Sequence, residues 1–189
     1  MTDIELAVSF IALLCGLILA NVANNLGDAL RSRRDLPIGL VPWAINFYIT
    51  VAVINMFSSV AGVDFDWSSF GTPLIINLCL VAMPYVMVSR LLYPERKDRW
   101  ASIEDYYLAN RKLILGIMLV PPVSYALSLT YYTPQLVVTG PILLFNTLPT
   151  IATLVAMIFA EKRQWHWAGW GFLIAHRVAL MVWLALATA

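Results

Sequence analysis

Apolar residues fill this chain in long uncharged blocks separated by short charged ones. Residues 6–27, 36–63 and 67–89 contain no Asp, Glu, Lys or Arg. Each block approximates the ~20 residues that a helix needs to cross a ~30 Å hydrocarbon layer. Residues 113–160 stay uncharged for 48 positions, too long for one crossing and right for a hairpin of two. Its turn falls at Tyr131-Tyr132-Thr133-Pro134-Gln135, where proline and polar groups interrupt the run. Residues 167–189 form a last block, broken near its middle by His176 and Arg177. The pattern predicts six helices at about 4–26, 38–61, 71–91, 113–131, 136–160 and 167–188. No ten-residue alternation points to a barrel, and unpaired backbone is too costly in lipid for anything but helices. Prolines 42, 84, 121, 122, 141 and 149 fall inside these segments, which membrane helices tolerate, usually with a kink.

Composition narrows the class. Of 189 residues, 61% are hydrophobic and 12% charged, against about 25% charged in an ordinary soluble domain. So little polar side chain cannot cover a domain of this size in water. The predicted fold class is all-α: a polytopic integral membrane protein with six transmembrane helices in one domain, 1–189. Cys15 and Cys79, both in apolar runs, make neither a disulfide framework nor a zinc site. A net charge of +1 gives no reason to expect nucleic acid.

Charge placement sets the expected threading. Eleven of the twelve Lys and Arg residues fall in the loops after helices 1, 3 and 5. The positive-inside rule then puts loops 27–37, 90–112 and 161–166 in the cytoplasm and both termini outside. Asp3 and Glu5 near the start argue against a signal peptide. Trp100, Trp165, Trp167 and Trp170 fall near the inner interface, and Trp67, Tyr131, Tyr132 and Trp183 near the outer one. Within the central loop, Ser102 with Asp105 three residues on reads as the cap of an interfacial helix carrying Ile103, Tyr106, Tyr107 and Leu108.

The runs F-I-A-L-L-C-G-L-I-L-A at 10–20, L-R-S-R-R at 30–34 and E-D-Y-Y-L-A-N-R-K-L-I-L-G at 104–116 resemble a group of uncharacterised bacterial six-helix membrane proteins of about this length. The resemblance implies a bacterial inner-membrane setting. It brings no activity, cofactor or catalytic residue.

Two constellations carry candidate chemistry. An arginine at a helix centre costs about 2.5–3.5 kcal/mol on insertion scales, so it usually faces protein or a water-filled cavity. Counted from their helix ends, Asn46, Asn146, Tyr48, Ser124 and Tyr125 fall near the depth of His176 and Arg177. This predicts a midplane polar layer that takes an anion or carboxylate, with His176 as a proton-sensitive neighbour. The competing interpretation is an arginine satisfied by asparagine and backbone carbonyls, or snorkelling to the interface. The second constellation is Asn21, Asn24, Asn25 and Asp28, a stripe at the basic end of helix 1 with Arg31 one turn further on. It either lines a vestibule or makes interhelical hydrogen bonds, worth about 0.6 kcal/mol each in membranes. Small residues at Gly16/Ala20 and Gly171/Ala175/Ala179 permit close helix approach, and place helix 6 against protein.

Enzyme and cofactor signatures are missing: no H-E-x-x-H, G-x-S-x-G, Walker A, G-x-G-x-x-G or C-x-x-C occurs. No lysine lies within a predicted span to hold a retinal. His166 and His176 are ~15 Å apart on one helix and cannot share a haem. The expected protein is a small homo-oligomeric channel or transporter for a solute or ion, with no cofactor or metal and with membrane lipids around it. The alternative is a non-transporting subunit of a larger membrane complex.

Overall fold

The computed structural model describes residues 3–61, 71–95, 99–132 and 143–187. They form six α-helices: α1 (Asp3–Arg31), α2 (Leu40–Ala61), α3 (Gly71–Leu91), α4 (Ile103–Tyr132), α5 (Leu148–Phe159) and α6 (Arg163–Ala187). A π-turn over Leu143–Thr147 leads into α5, and no strand occurs among the described residues. The all-α expectation therefore holds. Packing runs α1–α3–α4–α5–α6–α2 and back to α1, a closed ring in which α2 and α4 also touch.

Side-chain spacing explains the ring. On α1, Ile11, Cys15, Ile18, Val22 and Ala29 are buried at steps of three, four and seven, one stripe of a 3.6-residue helix. The interior is filled by large groups, with Tyr48, Tyr107 and Trp170 each essentially inaccessible. The outside is equally apolar: Leu13 is 70% exposed, Leu127 66%, Phe145 69% and Phe159 77%. By length and composition, one helix among the described residues suffices to cross a membrane, over Val8–Arg31. Shorter apolar stretches run over Leu40–Asn55, Cys79–Leu91 and Leu144–Phe159.

Three boundaries differ from expectation. The helix predicted from 113 begins at Ile103, so the interfacial segment and the fourth helix are one element. The backbone N–H of Asp105 donates to Ser102 Oγ at 3.0 Å, and that hydroxyl donates to the Asp105 carboxylate at 2.7 Å. This caps a stripe of Ile103, Tyr107, Ile114, Leu115 and Met118 that is buried throughout. Glu104, Asp105, Arg111 and Lys112 interrupt the uncharged run, so a count of such runs does not reach the stripe. Helix α1 likewise continues through Asp28 to Arg31, shortening the loop predicted at 27–37. Regular α-helix in the fifth segment starts at Leu148 rather than 136. Pro149 has no N–H for the Phe145 carbonyl, which accounts for the π-turn just before it. The Asp64/Asp66 loop, the 133–135 part of the predicted turn and residues 136–142 lie outside the described residues.

Candidate functional site

Arg177 stands at mid-α6, about 21 Å from the start of that helix at Arg163. Its Nη1 donates to Asn146 Oδ1 at 3.0 Å. Asn146 belongs to the π-turn, and its carbonyl accepts Thr150 Oγ1 at 3.0 Å. The guanidinium carbon lies 6.0 Å from the centroid of the Tyr48 ring, at the outer edge of cation–π attraction. Tyr85 and Tyr125 are also within electrostatic range of the guanidinium. Arg177 Nε is buried with no hydrogen-bond partner. None of the ion pairs among the described residues includes Arg177. Half-buried and held by neutral groups, the guanidinium keeps a positive field unspent on any carboxylate among the described residues. The arrangement suits an anion.

The other predicted members of the midplane layer go elsewhere. His176 stacks on Phe172 of its own helix, rings parallel at 5.7 Å, with Nε2 buried and unpartnered. Successive residues on a helix point in different directions, so adjacency to Arg177 in sequence does not make His176 its partner. Asn46 Nδ2 donates to the Pro42 carbonyl and to Tyr93 Oη, each at 2.8 Å. Asn46 thus joins α2 to the segment after α3 rather than to Arg177. Six residues into α2, Asn46 lies about 9 Å from the start of its helix, against about 21 Å for Arg177 on α6, so the two do not share a depth.

The asparagine stripe divides in the same way. Asn25 Nδ2 donates to the Ser89 carbonyl at 2.9 Å, and Asn21 Oδ1 accepts Arg90 Nε at 3.4 Å, so both fasten α1 to α3. Asn24 is exposed, and among the described residues Asp28 forms an ion pair only with Arg31, at 3.3 Å on the surface. The small residues on α6 correct another expectation. Gly171, Ala175 and Ala179 are exposed, and a Cβ at Gly171 would meet nothing within 4 Å. That stripe faces away from the rest of the chain, because Trp170 and Leu173 take the buried positions.

A second polar cluster, built on the segment expected to be an interfacial helix, closes the basic end of the bundle. Glu104 is buried, and its two oxygens accept Trp167 Nε1 at 2.6 Å and the Leu40 N–H at 3.2 Å. Arg163 bridges Glu104 at 3.6 Å and also pairs with Asp105. One carboxylate therefore holds the first turns of α2, α4 and α6 together. Its anion also sits favourably at the start of α2, where helix N–H groups lack partners. Beside it, Trp170 Nε1 donates to Tyr107 Oη at 3.2 Å. His166 has 2.9 Å from Nδ1 to Tyr107 Oη and 3.0 Å from Nε2 to the Ala160 carbonyl. A carbonyl only accepts, so Nε2 carries the proton and Tyr107 donates to Nδ1. Burial lowers the His166 pKa and raises that of the Tyr107 phenol. Every polar atom of His166 and Glu104 is engaged, which makes this a structural clasp. The signal available in the sequence was the S-x-x-D cap, which marks the α4 start but not its burial.

Among the described residues no three His, Cys, Asp or Glu groups gather to hold a metal. Comparison with protein-family models, with curated proteins and with solved structures returns no match.

Proposed function

We propose that this chain is a six-helix polytopic protein of a bacterial inner membrane, with both termini outside, whose Arg177 site binds the anionic group of a small solute in transit. The apolar exterior supports the membrane setting: large side chains such as Phe159 and Leu13 stand exposed over most of their surface. Contiguous apolar surface on this scale calls for lipid or a partner. The segregation of eleven cations to alternate loops supports the threading.

One observation carries the anion site. Arg177 is held by Asn146 and tyrosines while its Nε is buried and unpartnered. Placing arginine at membrane depth costs about 2.5–3.5 kcal/mol on insertion scales. An anion at ~4 Å returns about 4 kcal/mol at an effective dielectric near 20, enough to offset that cost. The bound solute completes the ion pair that the protein leaves open. Asn146 sits on the π-turn, and a shift of that turn to regular helix would carry the amide away and release the anion.

The test is uptake into proteoliposomes of chloride, nitrate and acetate by the wild type and by Arg177→Met. Saturable flux of one of these that Arg177→Met abolishes, with folding intact, supports the proposal. Equal flux in both proteins overturns the site assignment.

A second reading rests on α6. The exposed Gly171, Ala175 and Ala179 make a track on which another helix can lie closely. Such a track favours a homo-oligomer or a subunit of a larger membrane complex. Recovery of a stoichiometric foreign partner after gentle solubilisation, with no anion flux, would favour that reading over transport.

A further inference from the structure

A groove of about 740 Å³ lies between the end of α5 and the start of α6, within the ~300–1,000 Å³ of small-molecule sites. Its base follows from Gly169. A Cβ there would collide with Met157 Sδ, so the absent side chain brings α5 and α6 into close contact. Ala156 and Ala168 add little height beside that contact. Phe159, Trp165 and Phe172 stand out around it, 77%, 59% and 49% exposed. The result is a shallow apolar trough with aromatic sides, open laterally.

At one end of the trough lie Glu161 and Lys162, both exposed and both lining it. Neither makes an ion pair among the described residues, whereas the next residue, Arg163, is committed to Glu104 and Asp105. The mouth therefore offers one unspent cation beside one unspent anion. An apolar trough whose end carries adjacent charges of opposite sign matches an amphiphile with a zwitterionic head.

We infer that the α5–α6 groove seats one glycerophospholipid with a phosphoethanolamine head, its phosphate on Lys162, its ammonium on Glu161 and an acyl chain along Ala156, Met157 and Gly169. This rests on the membrane reading above, which puts the α5–α6 turn at the inner interface, where Trp165 is a suitable anchor. The head chemistry follows from both charges. A phosphoglycerol head satisfies Lys162 and offers Glu161 only neutral hydroxyls in place of a cation. A phosphocholine head has no N–H to donate to Glu161.

The experiment is lipid retention by the delipidated, detergent-purified chain, read by native mass spectrometry. Phosphatidylethanolamine, phosphatidylglycerol and phosphatidylcholine of the same acyl composition are titrated separately. Phosphatidylethanolamine should be retained as a single adduct about fivefold better than either of the others, the ratio expected for one interfacial charge contact. Lys162→Gln and Glu161→Gln, both surface changes, should each remove that preference. Ala156→Phe should reduce all three adducts by filling the trough. Equal retention of the three lipids, or indifference to both charge substitutions, overturns the inference whatever Ala156→Phe does. Carbonate-washed membranes from expressing cells separate the two levels. A chain recovered there with unselective retention sinks only the lipid site, and a chain recovered in the aqueous fraction sinks the membrane reading beneath it.

Discussion

Arg177 Nη1 and Asn146 Oδ1 meet at 3.0 Å across 31 residues of sequence, tying mid-α6 to the π-turn that opens α5. The contact is a charged donor on a neutral acceptor, and it is the point at which the half-buried arginine is oriented. Asn146→Leu should remove that orientation while leaving the charge in place. An interhelical bond of this kind contributes about 0.6 kcal/mol on average and up to about 1.7 kcal/mol. Stability in detergent should fall by no more than that, while any anion flux falls steeply. Asn25→Leu is the contrasting variant: it cuts the bond to Ser89 and should cost similar stability with flux unchanged. Flux lost equally in both variants would mean that packing, not Arg177 geometry, is being read.

Substitution of Glu104 should loosen three helices together. Glu104→Gln leaves one of two donors, Trp167 Nε1 or the Leu40 N–H, facing an amide NH2 in place of an acceptor. A buried hydrogen bond to a charged group contributes about 1.5–3 kcal/mol, so a loss of about 2 kcal/mol is expected in denaturant-induced unfolding. The Arg163 contact adds little, because Arg163 is 44% exposed and keeps Asp105. Unfolding indistinguishable from wild type would show that the clasp is incidental.

Gly39 should accept no side chain. Its φ is +79°, and a Cβ there would collide with the Glu104 side chain. Left-handed backbone costs about 1–2 kcal/mol for an L residue, and displacing Glu104 adds to this. Gly39→Ala should therefore destabilise more than the backbone term alone in wild type. In a Glu104→Ala background the extra part should shrink, since the carboxylate is gone, but not vanish, since the Cβ of residue 104 stays within 2.7 Å. Additive effects in the double variant would refute the contact as the cause.

Stability should fall with acid below about pH 6.5, the ordinary histidine value. Burial lowers the His166 pKa in the fold, with Arg111 acting in the same direction and the Ala160 bond opposing. The unfolded chain then takes up a proton at higher pH than the folded one, so acid favours unfolding. The contribution is absent above the unfolded value and grows as pH falls towards the depressed one. Protonated Nδ1 would also face the Tyr107 hydroxyl proton. His166→Asn, which retains an acceptor near the Nδ1 position, should flatten this part of the pH profile in thermal unfolding. A profile unchanged by the substitution would assign the acid sensitivity elsewhere.

Much of the helical order was legible in the sequence because charge marks its interruptions. Arg31 to Arg34 and Arg90 end the helices they follow to within a turn. The Ser102–Asp105 cap marked a helix start at 103, but its charges set it apart from the span beginning at 113, and nothing in the pattern showed that Glu104 is buried against Trp167 and Leu40. Within the candidate layer, Asn146 joins Arg177 and Asn46 does not. A count from approximate helix ends fixes neither height nor azimuth closely, and the packing of α2 turns Asn46 to Tyr93 near the end of α3. The α6 stripe failed for the same reason: small residues at steps of four mark a face without saying what it faces.

The central claim is that the chain threads a membrane with its basic loops on one side and its C-terminus on the other. Single cysteines at Arg34→Cys and Ala189→Cys, in a Cys15→Ala, Cys79→Ala background, report this through an impermeant maleimide. On intact spheroplasts only the Ala189→Cys protein should label, and on inverted vesicles only the Arg34→Cys protein. Labelling of both from the same side would contradict the threading, and with it the placement of Arg177 inside the membrane.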